Sequence, residues 1–450
     1  MSVHIKTHQL ILFALPALVS AAMHNPVVAG IIPSLYATEF GLDLAVIGSV
    51  MLAARIFDAV TDPVIGLLSD KTESRFGRRK PWVAAGAVLT VITIWFLFRP
   101  GETVTISYYL TLSILLYLAW TIMEIPYVAW MLEMSRDTKE RTRINAFRSG
   151  ALLVGGILFY LFPKLVPGSD GSMNFQVLGV LAIFIAISVP LFTVLAVKYV
   201  PEGEVFEGEA APKITELWQS IKSNRPFLAF LAMYAFIGLA SGVGNVVAFM
   251  YIDTYLDIGT RFTELFLPAV ILGPLTLPLW TWVLNRYGKY RVSALAFTIY
   301  MLLMPMPWFV SPGESAFLPM LLLYAASSLF MPLLMVSMPA ILGDIIDYDE
   351  LQTGKNRAGQ YSAFLTLIAK ATTAIGGPLA LIAIGVFGYQ PGAVENTETA
   401  IFGLRVVYNL VPPLLVLPGI LLLWYFPIND KSQVEIKNQL EARAAVVTPA

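Results

Sequence analysis

The chain has 450 residues, of which 57% are hydrophobic and only 13% are charged, about half the charged fraction of an ordinary soluble domain. Its 29 basic and 30 acidic residues leave a net charge of -1, which excludes a long disordered chain and a polyanion-binding protein that depends on counterion release. The absence of cysteine excludes disulfides, thiolate metal sites and cysteine nucleophiles. A mean hydropathy of +0.72 predicts a polytopic membrane protein, because the outer surface must be apolar as well as the core.

Twelve continuous apolar segments are each long enough to cross a bilayer as a helix. They lie at 9–36, 44–69, 81–99, 105–134, 146–166, 174–199, 226–252, 264–285, 290–310, 316–343, 361–388 and 400–426. The apolar runs do not alternate with polar residues, which excludes the strands of a membrane barrel. The first segment continues through Leu35 and is too long for a signal peptide. The pattern therefore predicts an all-α membrane protein with twelve transmembrane helices.

Basic residues concentrate in the connections that follow the even-numbered segments. They are Lys71, Arg75, Arg78, Arg79, Lys80, Arg136, Lys139, Arg141, Arg143, Lys213, Lys222, Arg225, Arg286, Lys289 and Arg291. The other connections are poor in lysine and arginine and carry acidic residues instead. Because basic loops stay on the cytoplasmic side, we expect a multi-pass protein of the cell (inner) membrane with both termini in the cytoplasm.

The longest connection, 201–225, lies midway along the chain and divides it into halves. Its second part, 214–223 (ITELWQSIKS), has the pattern of a short amphipathic surface helix. Landmarks recur across this midpoint, since Gly77 and Gly288 differ by 288 - 77 = 211 positions, and Pro126 and Pro339 by 339 - 126 = 213. The nearly constant offset predicts two six-helix bundles in parallel pseudo-repeat, the major facilitator fold. The predicted units are residues 1–200, the linker 201–225, residues 226–428 and a cytoplasmic tail, 429–450.

The second segment carries three charges at a depth where charge is costly. Asp58 and Asp62 are four residues apart and share one helix face, and Arg55 precedes Asp58 by three. One interpretation is a structural ion pair between Arg55 and one aspartate, which leaves the second carboxylate unexplained. The other is a cation or proton site made of both carboxylates and the Thr61 hydroxyl.

Further polar side chains fall within predicted spans of the chain. The residues are His24 and Asn25 in the first span, Trp120, Thr121 and Glu124 in the fourth, Arg148 in the fifth, and Thr366 and Lys370 in the eleventh. Glu124 either neutralises Arg148, or it accepts hydrogen bonds from a hydroxylated solute or completes the ligand shell of the cation. Lys370 is expected in a central cavity. His24 and Asn25 line that cavity or serve packing.

Two acidic residues near the end of the tenth span, Asp344 and Asp347, are expected to pair with basic loops. We predict that they form a cytoplasmic gate with the loop residues Arg78, Arg79 and Arg141. The sequence contains no HExxH metal motif and no glycine-rich phosphate loop.

Three motifs resemble the glycoside–pentoside–hexuronide:cation symporter family of the major facilitator superfamily. They are RIFDAVTDPVIGLLSDKTESRFGRRKPW (55–82), MEIPYVAW (123–130) and DIIDYDELQTGKNRAGQYSAF (344–364), followed by Lys370. The resemblance implies that Asp58, Asp62 and Thr121 bind sodium, with Thr61 standing where melibiose-transporting members have asparagine.

The same resemblance implies that a second group of residues lines the solute site or couples it to the cation. These are Glu124, Arg148, Thr366 and Lys370. Two departures fall in the sugar-recognition shell, because Ala22 stands in the place of an aspartate and Val128 in the place of a tryptophan. We therefore do not expect melibiose as the substrate.

Together these features predict a cation-coupled symporter that imports a small organic solute by alternating access. The coupling ion is sodium or a proton, with sodium hypothesised at Asp58 and Asp62, and no other cofactor is expected. The expected solute is a sugar, glycoside or uronide, and the alternative is an amphipathic, lysolipid-like molecule. A membrane-embedded enzyme would need a nucleophile–base pair or a metal cluster, and a uniporter or sensor would not need both aspartates. The expected partners are the solute, a monovalent cation and the lipid bilayer, without nucleic acid, and the expected state is a monomer.

Overall fold

The computed structural model describes residues 5–135, 137–203, 222, 224–355, 357–393 and 395–447. Within them, the regular structure is helical throughout and no strand is present. The α-helices of the first half are α1 (Thr7–Val28), α2 (Ile31–Phe40), α3 (Leu44–Asp70), α4 (Lys80–Phe98), α5 (Ile106–Glu133), α6 (Thr138–Leu165) and α7 (Phe175–Tyr199). The remaining helices are α8 (Arg225–Met250), α9 (Phe262–Leu275), α10 (Leu277–Tyr287), α11 (Lys289–Leu303), α12 (Phe317–Ser328), α13 (Met331–Thr353), α14 (Ala358–Val386), α15 (Glu398–Asn409), α16 (Val411–Trp424) and α17 (Asp430–Val447).

These helices form the predicted membrane spans. Eleven helical stretches of the described chain are long and apolar enough to cross a bilayer, and α9 and α10, bent by 46° at their junction, supply the twelfth. Proline explains the breaks within spans of the second half, because α10, α13 and α16 each carry proline in their first turn and proline cannot donate the helical hydrogen bond. The predicted all-α, twelve-span fold is confirmed.

Several helices extend beyond the apolar segments that predicted them. Helix α6 begins at Thr138 rather than at 146, and α13 continues to Thr353 rather than ending at 343. The side chain of Asp137 caps α6 by accepting a hydrogen bond from the Lys139 amide at 3.0 Å. Hydropathy marks the part of a helix that lies in lipid, whereas charged residues of good helix propensity continue the helix into water.

The same helix pairs pack together in both halves of the chain. In the first half α1 packs on α6 and α7, α3 on α5, and α4 on α7. In the second half α8 packs on α14 and α16, α9 on α12, and α11 on α16. These are the equivalent pairs of a six-helix repeat, as two bundles in parallel pseudo-repeat require. The exact unit boundaries stay a prediction, and the predicted surface helix at 214–223 lies outside the described residues except for Lys222.

The two halves meet along α3 with α14 and along α6 with α9. We call the end of the bundle that bears the connections after even-numbered spans the basic end, and the other the acidic end. At the acidic end Tyr160 stacks on Phe266 with ring centroids 5.4 Å apart, and the Thr263 hydroxyl donates to the Tyr160 carbonyl at 2.6 Å. Lys164 also pairs with Glu264 at 2.6 Å. The halves are therefore closed against each other at the acidic end.

Candidate cation and solute site

Helix α3 carries the two aspartates on one face, and that face packs against α5. Asp43 caps the start of the helix, because its carboxylate accepts from the Val46 amide at 3.0 Å, and Pro63 lies one residue after Asp62. Proline at 63 removes the amide that would bond four residues back, so the backbone between the aspartates is less constrained than in a regular helix.

A single hydroxyl joins the two carboxylates. Thr121 Oγ1 of α5 lies 2.7 Å from Asp58 Oδ1 and 3.0 Å from Asp62 Oδ1. One hydroxyl carries one proton, so it donates fully to one carboxylate at a time. Asp58 is only 3% exposed, and it is therefore held away from bulk water by the packing of α3 on α5. The sequence prediction that Asp58, Asp62 and Thr121 lie together agrees with these contacts.

Lys370 completes this cluster from the other half of the chain. Its ammonium forms an ion pair with Asp62 Oδ2, and its Nζ lies 3.7 Å from Asp58 Oδ2. The lysine side chain is 47% exposed and that of Asp62 is 21% exposed. The exposed fractions show that this charged pair is accessible at the interface between the two halves. The sequence placed Lys370 among the residues that line the solute site or couple it to the cation, but it did not predict a direct contact with the aspartates.

Arg55 has a different partner from the one considered above. Its guanidinium carbon lies 4.3 Å from the ring centroid of Tyr117 on α5, and its Nε is buried without a hydrogen-bond partner. Among the described ion pairs none joins Arg55 to Asp58 or Asp62. The structural ion pair between Arg55 and an aspartate is therefore not what the structure shows, because Lys370 takes that position and Arg55 stacks on an aromatic ring.

Two threonines of the predicted site turn their hydroxyl protons to their own helices. Thr61 Oγ1 donates to the Asp58 carbonyl at 3.1 Å, and Thr366 Oγ1 donates to the Ser362 carbonyl at 2.9 Å. Each hydroxyl oxygen keeps lone pairs for a ligand but lends no proton to one in this state.

Glu124 and Arg148 form an ion pair between α5 and α6. The guanidinium carbon of Arg148 also lies 5.6 Å from the ring centroid of Tyr127. The side chains are partly exposed, 16% for the arginine and 21% for the glutamate. The interpretation in which Glu124 neutralises Arg148 fits these contacts, and the exposed fraction leaves both groups accessible to a solute.

His24 and Trp120 bring aromatic surface to the same region. Their rings stack with centroids 4.7 Å apart and planes inclined by 29°. Trp120 precedes Thr121, whose hydroxyl contacts both aspartates, so the stacked pair lies next to the charged cluster. Asn25 follows His24, and its carbonyl accepts from the Ala29 amide at 2.8 Å where α1 ends.

The charged groups at the basic end of the first half bind one another. Arg78 and Arg79 both contact Glu133 Oε1, at 2.6 and 2.7 Å, and Arg79 also pairs with Asp70. Burial opposes ionisation of Arg79, but its hydrogen bonds to Glu133 and Asp70 outweigh that effect and raise its pKa. Arg141 donates from Nε to the Ser135 carbonyl at 2.6 Å.

The predicted gate residues of the second half also bind within their own half. Asp344 Oδ2 lies 2.5 Å from Lys289 Nζ in the basic connection after the eighth span, and Asp347 accepts from Gln433 of α17 at 2.9 Å. A gate that joins the two halves at this end stays a prediction, which a conformation closed toward the basic end would test.

The cluster of oxygens suits a small hard cation. Two carboxylates and a hydroxyl are the donors that such ions prefer, whereas within the described residues no group of three or more histidine, cysteine, aspartate or glutamate side chains could hold a metal ion. Binding of sodium or a proton at Asp58 and Asp62 stays a prediction.

Comparison with known proteins identifies the family. The profile of MFS/sugar transport proteins matches residues 12–430. The chain is 26% identical to the glucuronide carrier protein homolog of Escherichia coli, over 92% of this chain and 91% of the relative. It is 23% identical to the human sodium-dependent lysophosphatidylcholine symporter 1, over 87% of this chain and 78% of the relative. In fold it is similar to the nucleoside transporter NupG, with a TM-score of 0.67 at 15% identity, covering 94% of this chain and all of that one.

Proposed function

Because the chain belongs to the MFS/sugar transport protein family and is a transporter rather than an enzyme, we propose that it is a symporter. It couples the entry of sodium or protons to the uptake of a sugar, glycoside or uronide. We further propose that it lies in the inner membrane with both termini in the cytoplasm, because of the lysine and arginine asymmetry of its loops.

The observation that carries this proposal is the contact of Lys370 with the two aspartates. The residues lie on α14 and α3, one in each half of the chain, and Asp62 and Lys370 are 308 positions apart. In an alternating-access transporter the halves move relative to each other about the central site. An ion pair across that interface responds to the movement and to anything that binds the carboxylates.

The ammonium of Lys370 acts as a tethered cation between Asp58 and Asp62. A sodium ion or proton that binds Asp58 and Asp62 removes the negative charge that holds Lys370. The lysine is then free to bind acceptor oxygens of a solute. Binding of the cation and binding of the solute are thus coupled. The cation releases Lys370 for the solute, and a solute that binds Lys370 frees the aspartates for the cation.

The energy available is adequate for accumulation. One positive charge that moves down a potential of 100 mV supplies about 2.3 kcal/mol, which corresponds to roughly 50-fold accumulation of a neutral solute.

The charges of the cavity favour an acidic sugar. Arg55, Arg148 and Lys370 balance Asp58, Asp62 and Glu124, since 3 - 3 = 0. A bound cation raises the total to +1, and Ala22 offers no carboxylate to offset it. A uronide supplies the missing negative charge, and the glucuronide carrier among the relatives supports this class of solute.

A lysolipid is the second candidate. The human relative is named for sodium-dependent lysophosphatidylcholine transport, and its sequence matches 87% of this chain. A lysolipid requires apolar surface for its acyl chain, whereas a uronide requires only the charged and polar side chains described above.

A transport assay separates these candidates. Purified protein in sealed vesicles is given glycosides, their uronide counterparts and lysolipids, each with and without sodium and with an imposed proton gradient. We expect uptake of the uronide, driven by one of the two cations. Equal uptake of neutral glycosides and uronides would refute the charge argument, and uptake of lysolipid alone would favour the second candidate.

Variants of the aspartates test the coupling. Asp58→Asn and Asp62→Asn keep size and polarity but remove the charge. We expect concentrative uptake to fall to background in each, whereas counterflow of solute survives because Glu124 and Arg148 are intact. Glu73→Gln, in an exposed loop, is the matched control. Accumulation by both asparagine variants in response to a cation gradient would place the coupling site elsewhere.

A further inference from the structure

Each half of the molecule has a pocket at the acidic end that the transport site does not use. The first has a volume of about 490 Å³ and lies between α4 and α7, with Phe98, Phe175 and Ile183 as apolar lining and Arg99 at its edge. The second has a volume of about 550 Å³ and lies at the start of α15. Its lining includes Phe402, Arg405 and Glu398.

The arginines of the two pockets pack on tryptophans that occupy equivalent places in the repeat. The guanidinium carbon of Arg99 lies 4.5 Å from the ring centroid of Trp95, and that of Arg405 lies 4.2 Å from that of Trp308. These tryptophans differ by 308 - 95 = 213 positions, the same offset that separates Pro126 from Pro339. In each half an arginine therefore packs on a tryptophan where the third and sixth spans of that half meet. Arg99 follows the third span of the first half, whereas Arg405 belongs to the sixth span of the second half.

Both pockets continue into apolar surface along the outside of the bundle. Exposed side chains follow one face of α7 at helical spacing, with exposed fractions of 42%, 64%, 51% and 59% for Ile183, Ile187, Leu191 and Val194. Exposed apolar side chains also run from Phe402 of α15 along α16. Such a stripe is the natural surface for an acyl chain of the bilayer.

The arginine at the edge of each pocket is available to bind an anion. Among the described residues neither Arg99 nor Arg405 forms an ion pair with a carboxylate, and Arg405 Nε is buried without a hydrogen-bond partner. One terminal N–H of Arg405 donates to the Trp308 carbonyl at 2.7 Å. A planar guanidinium fixed on an aromatic ring suits the oxygens of a phosphodiester. Apolar surface next to such a cation matches a phospholipid.

We propose that these pockets bind two bilayer phospholipids, one in each half, with the phosphodiester on Arg99 or Arg405 and an acyl chain along the adjacent apolar stripe. The second pocket also presents Glu398, which complements a headgroup ammonium. The sites are separate from the central cavity and independent of which solute the protein carries.

Native mass spectrometry of the purified protein tests the proposal. The protein is delipidated and then titrated with phosphatidylglycerol, phosphatidylethanolamine or diacylglycerol, which lacks the phosphate. We expect each protein to bind two phospholipid molecules more tightly than any further phospholipid molecules. Diacylglycerol should bind at neither of these two sites. Arg99→Gln and Arg405→Gln should each weaken one of these two sites by about tenfold, the effect of losing a hydrogen-bonded charge.

Two further variants distinguish a lipid pocket from a general loss of charge. Arg75→Gln removes an arginine that also stacks on an aromatic ring, at 4.7 Å from the Phe76 centroid, but at the basic end. It should leave both sites unchanged. Gly179→Leu keeps Arg99 and fills the first pocket, since a Cβ at Gly179 lies 3.6 Å from the Arg99 side chain, and it should remove one site. The proposal is overturned if wild-type protein prefers no phospholipid over diacylglycerol, or if the variants at 99 and 405 bind as Arg75→Gln does.

Discussion

Lys370 of α14 reaches across the interface between the two halves of the chain and pairs with Asp62 of α3. Its ammonium also lies 3.7 Å from Asp58 Oδ2, and Thr121 bridges the opposite oxygens of both carboxylates. The positive charge that a transported cation would bring is thus already present on a side chain. Lys370 is thus the electrostatic partner of both carboxylates, and a cation that binds them would displace it.

Removal of the lysine charge should strengthen cation binding and abolish coupling. In Lys370→Gln no tethered cation competes for Asp58 and Asp62, so we expect sodium to bind about tenfold more tightly, a difference of about 1.4 kcal/mol. Titration calorimetry at constant pH measures this affinity. Lys71→Gln, at an exposed position of the basic end, is the control. Weaker sodium binding in Lys370→Gln would mean that the lysine supports the ion instead of competing with it.

The two arginines of the central region should differ in their effect on stability. Arg148→Met leaves Glu124 without its partner and should lower the free energy of unfolding by about 2 kcal/mol, less than the roughly 3–5 kcal/mol of a fully buried pair because both groups are partly exposed. Arg55→Met loses only its contact with Tyr117, which costs about 1 kcal/mol. Thermal unfolding in detergent compares them.

The double variant Arg148→Met/Glu124→Leu provides the control for that comparison. It removes the stranded carboxylate and should recover most of the lost stability. An Arg55→Met protein as unstable as Arg148→Met would show that Arg55 has a carboxylate partner after all.

Gly30 should tolerate no side chain. It separates α1 from α2 with a φ of 71°, and a Cβ there would lie 1.9 Å from the Val246 carbonyl oxygen on the other half. The left-handed backbone alone costs an alanine roughly 1–2 kcal/mol, and the clash adds to that. We expect Gly30→Ala to lower thermal stability clearly, whereas Gly150→Ala, within α6 with open space around it, should be neutral or stabilising. Equal melting temperatures for the two variants would contradict the close contact at Gly30.

The orientation can be tested in a chain that has no native cysteine. Ser74 lies in an exposed loop at the basic end, and Glu314, whose side chain is 78% exposed, lies at the acidic end. With single cysteines at these positions, an impermeant thiol reagent added to intact cells should label position 314 and spare position 74. The reverse pattern would invert the proposed topology.

The sequence by itself determined the elements that depend on local spacing. Continuous apolar runs predict membrane helices because a backbone in lipid must satisfy its own hydrogen bonds. The four-residue spacing of Asp58 and Asp62 put both carboxylates on one face, since helix geometry fixes which side chains are neighbours within an element. The repeat offset between Pro126 and Pro339 likewise pointed to two equivalent halves.

Tertiary structure alone decided which side chains meet across those elements. Nothing local to Lys370 indicates that it pairs with Asp62, 308 positions earlier, because that contact depends on how α14 is rotated and shifted against α3. Spacing instead offered Arg55 as the partner, yet the packing of α3 on α5 placed its guanidinium on Tyr117. Helical periodicity assigns a residue to a face, but the partner of that face is selected by the packing of helices distant in the chain.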